Sequence, residues 1–260
     1  MQALQLGGQE APYELQIDRV PVPQPGAEQA LIRVKAAALN HRDQWIREGK
    51  YPGIQEGCTL GSDACGVVEA VGKQEHEHWI GKEVIINPNI NWGDDPKHQS
   101  RDYHILGNPS NGTFADYVVV DLDRLQSKPS HLGIQEAAAL PLGGLTAYRA
   151  VFTKGQITAK DTVLISGVGG GVAQFAFQFA VAIGAKVFVT SGSDAKLQAA
   201  VKMGAAGAAN YKKDSWYKIL KEESGGFTCA IDSAGGHSMN YLIRLMRHNG
   251  RIVCYGATLG

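Results

Sequence analysis

Between Asp161 and Gly192 the chain reads DTVLISGVGGGVAQFAFQFAVAIGAKVFVTSG. A continuous apolar strand runs into a glycine-rich turn, the turn opens an apolar helix, and a second apolar strand follows. Two such strands joined through a helix pair in parallel, with the crossover packed against the sheet. The turn adds a chemical constraint. Residues without a Cβ let the backbone approach a pyrophosphate at the positive end of a helix. Gly167, Gly169, Gly170 and Gly171, followed by Val172, are therefore candidate cofactor contacts. The same glycines could also form a strand-to-helix corner that binds nothing, and the last position of the dinucleotide fingerprint is Ala173.

The pattern continues on the C-terminal side. SDAKLQAAVKMGA, SWYKILKEES and SMNYLIRLMRHNG read as helices, and AANY, TCAIDSAG and RIVCYGA as strands. This predicts an α/β unit with a doubly wound parallel sheet over residues 127–260. From Met1 to about Val120 the grammar differs, with short alternating strands broken by Gly and Pro, which predicts a small barrel-like β unit over 1–126. The polar segment Asn91–Gly112 has no clear period and is expected to be a surface loop.

The residues after the second strand bear on cofactor choice. An acidic residue there would hold an adenine ribose hydroxyl, but the chain has Thr190, Ser191 and Ser193, with Lys196 one helical turn on. Asp194 stands where it caps the next helix. Hydroxyls and a lysine accept a ribose 2′-phosphate that a carboxylate would repel, so NADPH is expected over NADH.

Lysine plus arginine and aspartate plus glutamate balance at 25 each, so no basic footprint favours nucleic acid or an anionic membrane. A small-molecule substrate is the expectation. Cys58, Cys65, Cys229 and Cys254 form no CxxC pair, and no signal or membrane-spanning run is present, which together read as a soluble cytoplasmic chain.

AAALNHRDQWIREGKYPG, LGSDACGVVEAVG, GTFADYVVV, AAALPLGGLTAY and the glycine turn, in this order, resemble the medium-chain dehydrogenase/reductase superfamily, the alcohol dehydrogenase and quinone oxidoreductase group. The resemblance implies a GroES-like catalytic domain and a Rossmann domain, with an active site in the cleft between them. It also implies a homodimer for full-length members. The zinc ligands of one branch fall here on Asn40, Ser62 and Leu142, none a good zinc donor, and the resemblance then favours the zinc-independent branch. Asn40, Asp43 and Trp45 match that branch's pattern, with tryptophan in place of the usual tyrosine. Tyr51 matches the acid of related enoyl reductases, the other reading being an interfacial tyrosine. Thr146 is carried over as the residue beside the nicotinamide, Lys196 and Tyr211 as the pair flanking the 2′-phosphate, and Ala234 and Gly256 as backbone contacts. Asp63 is expected to make local hydrogen bonds and Cys65 to pack in a strand. His76 and His78 read as a solvated loop without a third ligand. Family members continue past YGATLG, so a truncated chain with an open sheet edge is expected. The implied activity is NADPH-dependent hydride transfer to a quinone, activated alkene or carbonyl. Two alternatives stay open: a zinc enzyme using Asp63, Cys65 or His41, and a non-catalytic NADPH-binding protein.

Overall fold

The computed structural model describes residues 1–259. Their contacts form two compact units, Met1–Leu142 and the remainder from Gly143. The first contains β1 (Gln2–Gly7), β2 (Glu14–Arg19), β3 (Gln29–Ala38), α1 (His41–Arg47), β4 (Asp63–Val71), β5 (Glu83–Ile86), β6 (Asn89–Ile90), β7 (His104–Ile105), β8 (Tyr117–Asp121), β9 (Leu125–Ser127) and α2 (Ile134–Ala138). Five strands pair antiparallel in the order β8-β3-β4-β5-β9, while β1–β2 and β6–β7 form separate two-stranded pieces. The barrel-like unit expected from the sequence is thus a five-stranded sheet whose pairing ends at β8 and β9, accompanied by two small hairpins. Period-two alternation selects its core: Ala30 and Ile32, Val84 and Ile86, and Val118 and Val120 share one apolar cluster with Ala64 and Val68.

The division at Leu142 lies beyond the 126/127 boundary read from the sequence. Two contacts carry the first unit further. β9 pairs with β5, and α2 packs on β3 and β4 with Ala137 and Ala138 against Cys65.

The segment Asn91–Gly112 is not a surface loop throughout. Leu106 and Asn108 are buried, and β7 pairs with β6. Three glycines let this segment lie against the turn before β4. A Cβ on Gly112 would fall on the Gly61 carbonyl and stand 2.6 Å from Gly107 Cα; one on Gly61 would stand 2.7 Å from the Phe114 amide nitrogen. The backbones touch because no side chain separates them.

α3 (Pro141–Tyr148) begins in the last two residues of the first unit and starts at a proline, which suits the first helical position and ends the apolar run of α2. Then come β10 (Thr162–Ile165), α4 (Gly171–Ala182), β11 (Lys186–Ser191), α5 (Asp194–Lys202), β12 (Gly207–Asn210), α6 (Trp216–Ser224), β13 (Phe227–Asp232), α7 (Ser238–Leu245) and β14 (Met246–Cys254). The sheet is parallel, in the order β12-β11-β10-β13-β14. Val163 and Ile165 join a core with Phe177 and Val189, whereas Leu164 joins Phe188, Phe227 and Leu242 in another. Apolar layers on both faces explain why these strands read as unbroken hydrophobic runs. The last helix is shorter than the sequence pattern suggests. Met246 already pairs with Phe227, and a register shift then brings Arg251 opposite Cys229. Among the described residues no helix is long and apolar enough to cross a membrane.

The glycine packing predicts that Gly112→Ala lowers stability by about 1–3 kcal/mol, the range for overpacking. Gly144→Ala, in α3 where an added Cβ would meet nothing within 4 Å, should be neutral or stabilising by up to ~1 kcal/mol. Urea midpoints of the two variants check the contrast, and equal shifts would count against the packing account.

Candidate active site

Asn40 precedes α1 and sits where the Asp43 carboxylate, in the first turn, accepts its amide at 2.8 Å. The Asp43 amide in turn donates to the Asn40 carbonyl at 3.0 Å, and Asn40 Nδ2 donates to Asp63 Oδ2 at 2.8 Å. The other oxygen of Asp63 accepts the Leu142 amide at 2.8 Å. Asp63, 1% exposed at the start of β4, therefore binds the residues at positions 40 and 142, two of the three positions considered for zinc. The expectation of local hydrogen bonds for Asp63 is corrected by these long-range partners. Burial pushes its carboxyl up to about 6 against the Asn40 and Leu142 bonds; the Asp43 charge raises it further and Arg42 opposes.

The third position, Ser62, belongs to a network that sequence reasoning missed. Arg42 is buried and donates from Nη1 to Ser62 Oγ at 2.7 Å and Leu106 O at 3.0 Å, and from Nη2 to Asn108 O at 3.3 Å. Ser62 Oγ in turn donates to Leu106 O at 2.8 Å. No carboxylate pairs with this guanidinium among the described residues, and its Nε is without a partner. Its flat face lies 4.8 Å from the centroid of the Tyr51 ring. Tyr51 is half-buried among Leu6, Ile46 and Leu60, and its hydroxyl makes no hydrogen bond among the described residues. The spacing of Arg42 and Ile46, one turn apart, was the available sign that Arg42 lies on the inner face of α1. Asp43 is also buried, which raises its carboxyl pKa; the Asn40 amide and the Arg42 charge oppose that, and the Gly61 amide helps without completing a hydrogen bond.

The donors of the zinc alternative do not gather. His41 is exposed beside Trp45, whose ring is 5.0 Å away, and Cys65 is packed with Ala36, Ile85 and Ala137. Among the described residues one trio of His, Cys, Asp or Glu brings its ligand atoms together: Glu28, Glu75 and His76. This supplies the partners that the sequence reading of His76 found lacking, but Lys73 sits in the cluster, bonded to Glu28 and 3.8 Å from Glu75. A cavity of about 550 Å³ between β8 and the N-terminal segment includes Arg124 and His104 in its wall, and none of Asn40, Asp43 or Tyr51.

In the second unit the glycine turn lies where β10 meets α4. Gly167 adopts φ +61, and its amide donates to Thr190 Oγ1 at 3.1 Å. The turn is unlike the Gly61 stack. A Cβ on Gly167 or Gly171 would meet nothing within 4 Å, and one on Gly170 only the Gly167 carbonyl at 3.6 Å. The protein's own packing therefore leaves open space over the first residues of α4, where Val172 is half-buried. At Gly169 the space is taken by Lys196, whose Nζ is 2.7 Å from the Cβ position. Ser191 ends β11 buried and accepts the Ser193 amide at 3.2 Å. Asp194 is occupied by Asn210 at 2.8 Å and Lys213 at 3.0 Å. Tyr211 is exposed with its hydroxyl over Gly192. A further residue the sequence reading passed over, Asp232, is buried at the end of β13. It accepts the Ser166 hydroxyl and the amides of Ala234 and Gly235, and so shapes the turn that carries Ala234. Gly256 follows β14, whose tail returns to that turn through Thr258 N to Ser233 O at 3.0 Å. Thr146 is half-buried in α3.

Because the folded state holds the Asp63 proton more tightly than the unfolded chain, whose value is near 3.8, stability is greatest below the unfolded pKa and falls as pH rises through about 6. At about 1.36 kcal/mol per pH unit the loss reaches roughly 3 kcal/mol. Asp63→Asn should remove this slope, since the Asn40 amide can rotate to present its oxygen. Urea midpoints from pH 4 to 7 are expected to converge toward the variant at low pH and diverge above pH 5; parallel curves would contradict it.

Residues 26–130 match the family described as alcohol dehydrogenase GroES-like domain, and residues 171–260 the family described as zinc-binding dehydrogenase. A zinc-type alcohol dehydrogenase-like protein, YogA, of Leptosphaeria maculans is 37% identical over 264 residues, covering 95% of this chain and 74% of that protein. A quinone oxidoreductase of Pongo abelii is 28% identical over 262 residues, covering 99% of this chain and 72% of that protein. The crystal structure of an NAD-dependent alcohol dehydrogenase superposes with a TM-score of 0.90 at 35% identity, covering 100% of this chain and 79% of that one. A β-rich unit and a parallel nucleotide-type sheet in this order, matched along nearly the whole chain, place the protein in the medium-chain dehydrogenase/reductase superfamily, as an oxidoreductase of that type.

Proposed function

We propose that this chain is an NADPH-dependent reductase that passes hydride to a quinone, an activated alkene or a carbonyl without a catalytic zinc. The observation that carries the zinc-free reading is the engagement of Asp63. Positions 40 and 142 are an amide and an aliphatic residue, both bonded to that carboxylate, and position 62 is a serine bonded to a buried guanidinium. A tetrahedral zinc site needs three good protein donors, and this set offers none that is free. The family description speaks of zinc, and the quinone oxidoreductase relative supports the acceptor class.

A nicotinamide nucleotide, when bound, supplies the hydride. Gly167, Gly169, Gly170, Gly171 and Val172 would hold its pyrophosphate, a role supported by the open space over α4. Thr146, Ala234 and Gly256 would line the remainder. The protein's own chemistry lies in positioning. Asn40 Nδ2 has two hydrogens, one committed to Asp63, so the second can bond an acceptor oxygen; Asp63 fixes which way the amide faces. Tyr51, seated by Arg42, has a hydroxyl without a partner among the described residues and can hand a proton to the reduced acceptor. Asp43 holds the start of α1 and so the Asn40 backbone.

The preference for NADPH is supported by Lys196 over Gly169, by the neutral hydroxyls Ser191 and Ser193, and by the engagement of Asp194 elsewhere. NADH is the competitor, since the 35% identical structure is of an NAD-dependent enzyme.

Chelator treatment should leave NADPH oxidation unchanged across a panel of quinones, enones and aldehydes, because no zinc contributes. Activity lost on chelation and recovered with zinc would overturn the zinc-free reading. In the same assay Asn40→Ala or Tyr51→Phe should lower kcat by about tenfold or more while leaving the Kd of NADPH within about twofold. Lys196→Ala is expected to weaken NADPH by roughly tenfold to hundredfold, the value of a charge-assisted phosphate contact, with little effect on NADH. Equal losses for both cofactors would remove Lys196 from the 2′-phosphate.

A further inference from the structure

The turn after β11 carries a second cation to which the cofactor reading gives no role. Gly192 follows Ser191, and a Cβ on it would lie 2.8 Å from the Tyr211 hydroxyl and 2.9 Å from Lys212 Cε. Tyr211 and Lys212 therefore cross the bare Cα of Gly192 together. On the neighbouring turn, after β10, Lys196 crosses Gly169 in the same way. The two turns are fastened to each other: the Gly167 amide donates to Thr190 Oγ1 at 3.1 Å, and the Val168 amide to Thr190 O at 2.9 Å. Lys212 is itself held by its backbone, whose amide donates to Asn210 Oδ1 at 3.0 Å.

Charge pairing separates these lysines from their neighbour. Lys213 pairs with Asp194, so the carboxylate next to the β11 turn is already neutralised. Lys196 and Lys212 make no ion pair among the described residues, and the Tyr211 hydroxyl makes no hydrogen bond there. Two uncompensated ammonium groups are thus carried onto two joined turns at the carboxyl ends of parallel strands, one from α5 over Gly169 and one from the segment after β12 over Gly192. Ligands of such sheets lie at those ends, and a dianion of phosphate size satisfies two cations and a phenol hydroxyl at once.

We propose that Lys212 is a specificity-determining residue, a second cation of the cofactor's 2′-phosphate site beside Lys196 and Tyr211. This rests on the NADPH reading above. Lys212 is exposed and makes no side-chain hydrogen bond, so Lys212→Ala should fold as the parent does, which circular dichroism and the urea midpoint verify.

The test titrates the chain and its variants with NADPH, NADH, 2′,5′-ADP and 5′-AMP by calorimetry. Lys212→Ala should weaken NADPH and 2′,5′-ADP about fivefold, and Lys212→Glu roughly tenfold or more, with NADH and 5′-AMP changed less than about twofold. Added salt should shrink the parent's NADPH preference more than that of Lys212→Ala. A parent preference for NADPH that survives both substitutions unchanged overturns the role of Lys212 and leaves the cofactor reading standing. Equal weakening of NADPH and NADH also overturns it, by moving Lys212 to the pyrophosphate. A parent chain that binds NADH as tightly as NADPH overturns the cofactor reading and this inference with it.

Discussion

A carboxylate almost fully removed from water is costly unless hydrogen bonds replace its hydration. Asp63 is in that position, and the first unit is arranged to meet its demand. Its two oxygens require a side-chain amide from the residue before α1 and a main-chain amide from the residue that ends the unit. Meeting both fixes where α1 begins against β4 and where the chain leaves α2. The Arg42 guanidinium, which also lies close enough to lower the Asp63 carboxyl, fixes a third path by taking the carbonyls of Leu106 and Asn108. One buried negative charge and one buried positive charge, not paired directly with each other, hold four stretches of backbone in register.

The two units use glycine for opposite ends. At Gly61, Gly107 and Gly112 the missing side chain is filled by another strand of the same molecule. At Gly167, Gly170 and Gly171 it is not filled by the protein. Gly167 needs its glycine for the backbone, at φ +61, and Gly170 stands at the N-cap of α4, but neither is packed over by the protein itself. A pattern of letters cannot separate these cases, whereas the space around each Cβ position can.

The features legible in the sequence were local ones. The parallel sheet followed from strands and helices in strict alternation, and the turn at Gly167 to Val172 from its place between a strand and a helix. Asn40, Asp43 and Tyr51 were legible as residue types through resemblance, but their partners were not. Arg42 bonds to carbonyl oxygens 64 and 66 residues away, and any residue could supply a carbonyl. The division between units escaped the sequence for a related reason. β9 and α2 look like a connection until their pairing with β5 and their packing on β3 and β4 are known. The last strand begins early because Met246, which has helical neighbours in sequence, pairs with Phe227 of β13 in space.

Among the described residues, every side-chain hydrogen bond of Asp63 and Arg42 goes to a residue between 40 and 142, and the unit that contains them closes at Leu142. The frame made by the side-chain bonds of Asp63 and Arg42 is therefore held within the first unit. Genetic recombination at that border would carry the frame across intact. Lineages could then exchange the parallel-sheet unit without rebuilding that frame.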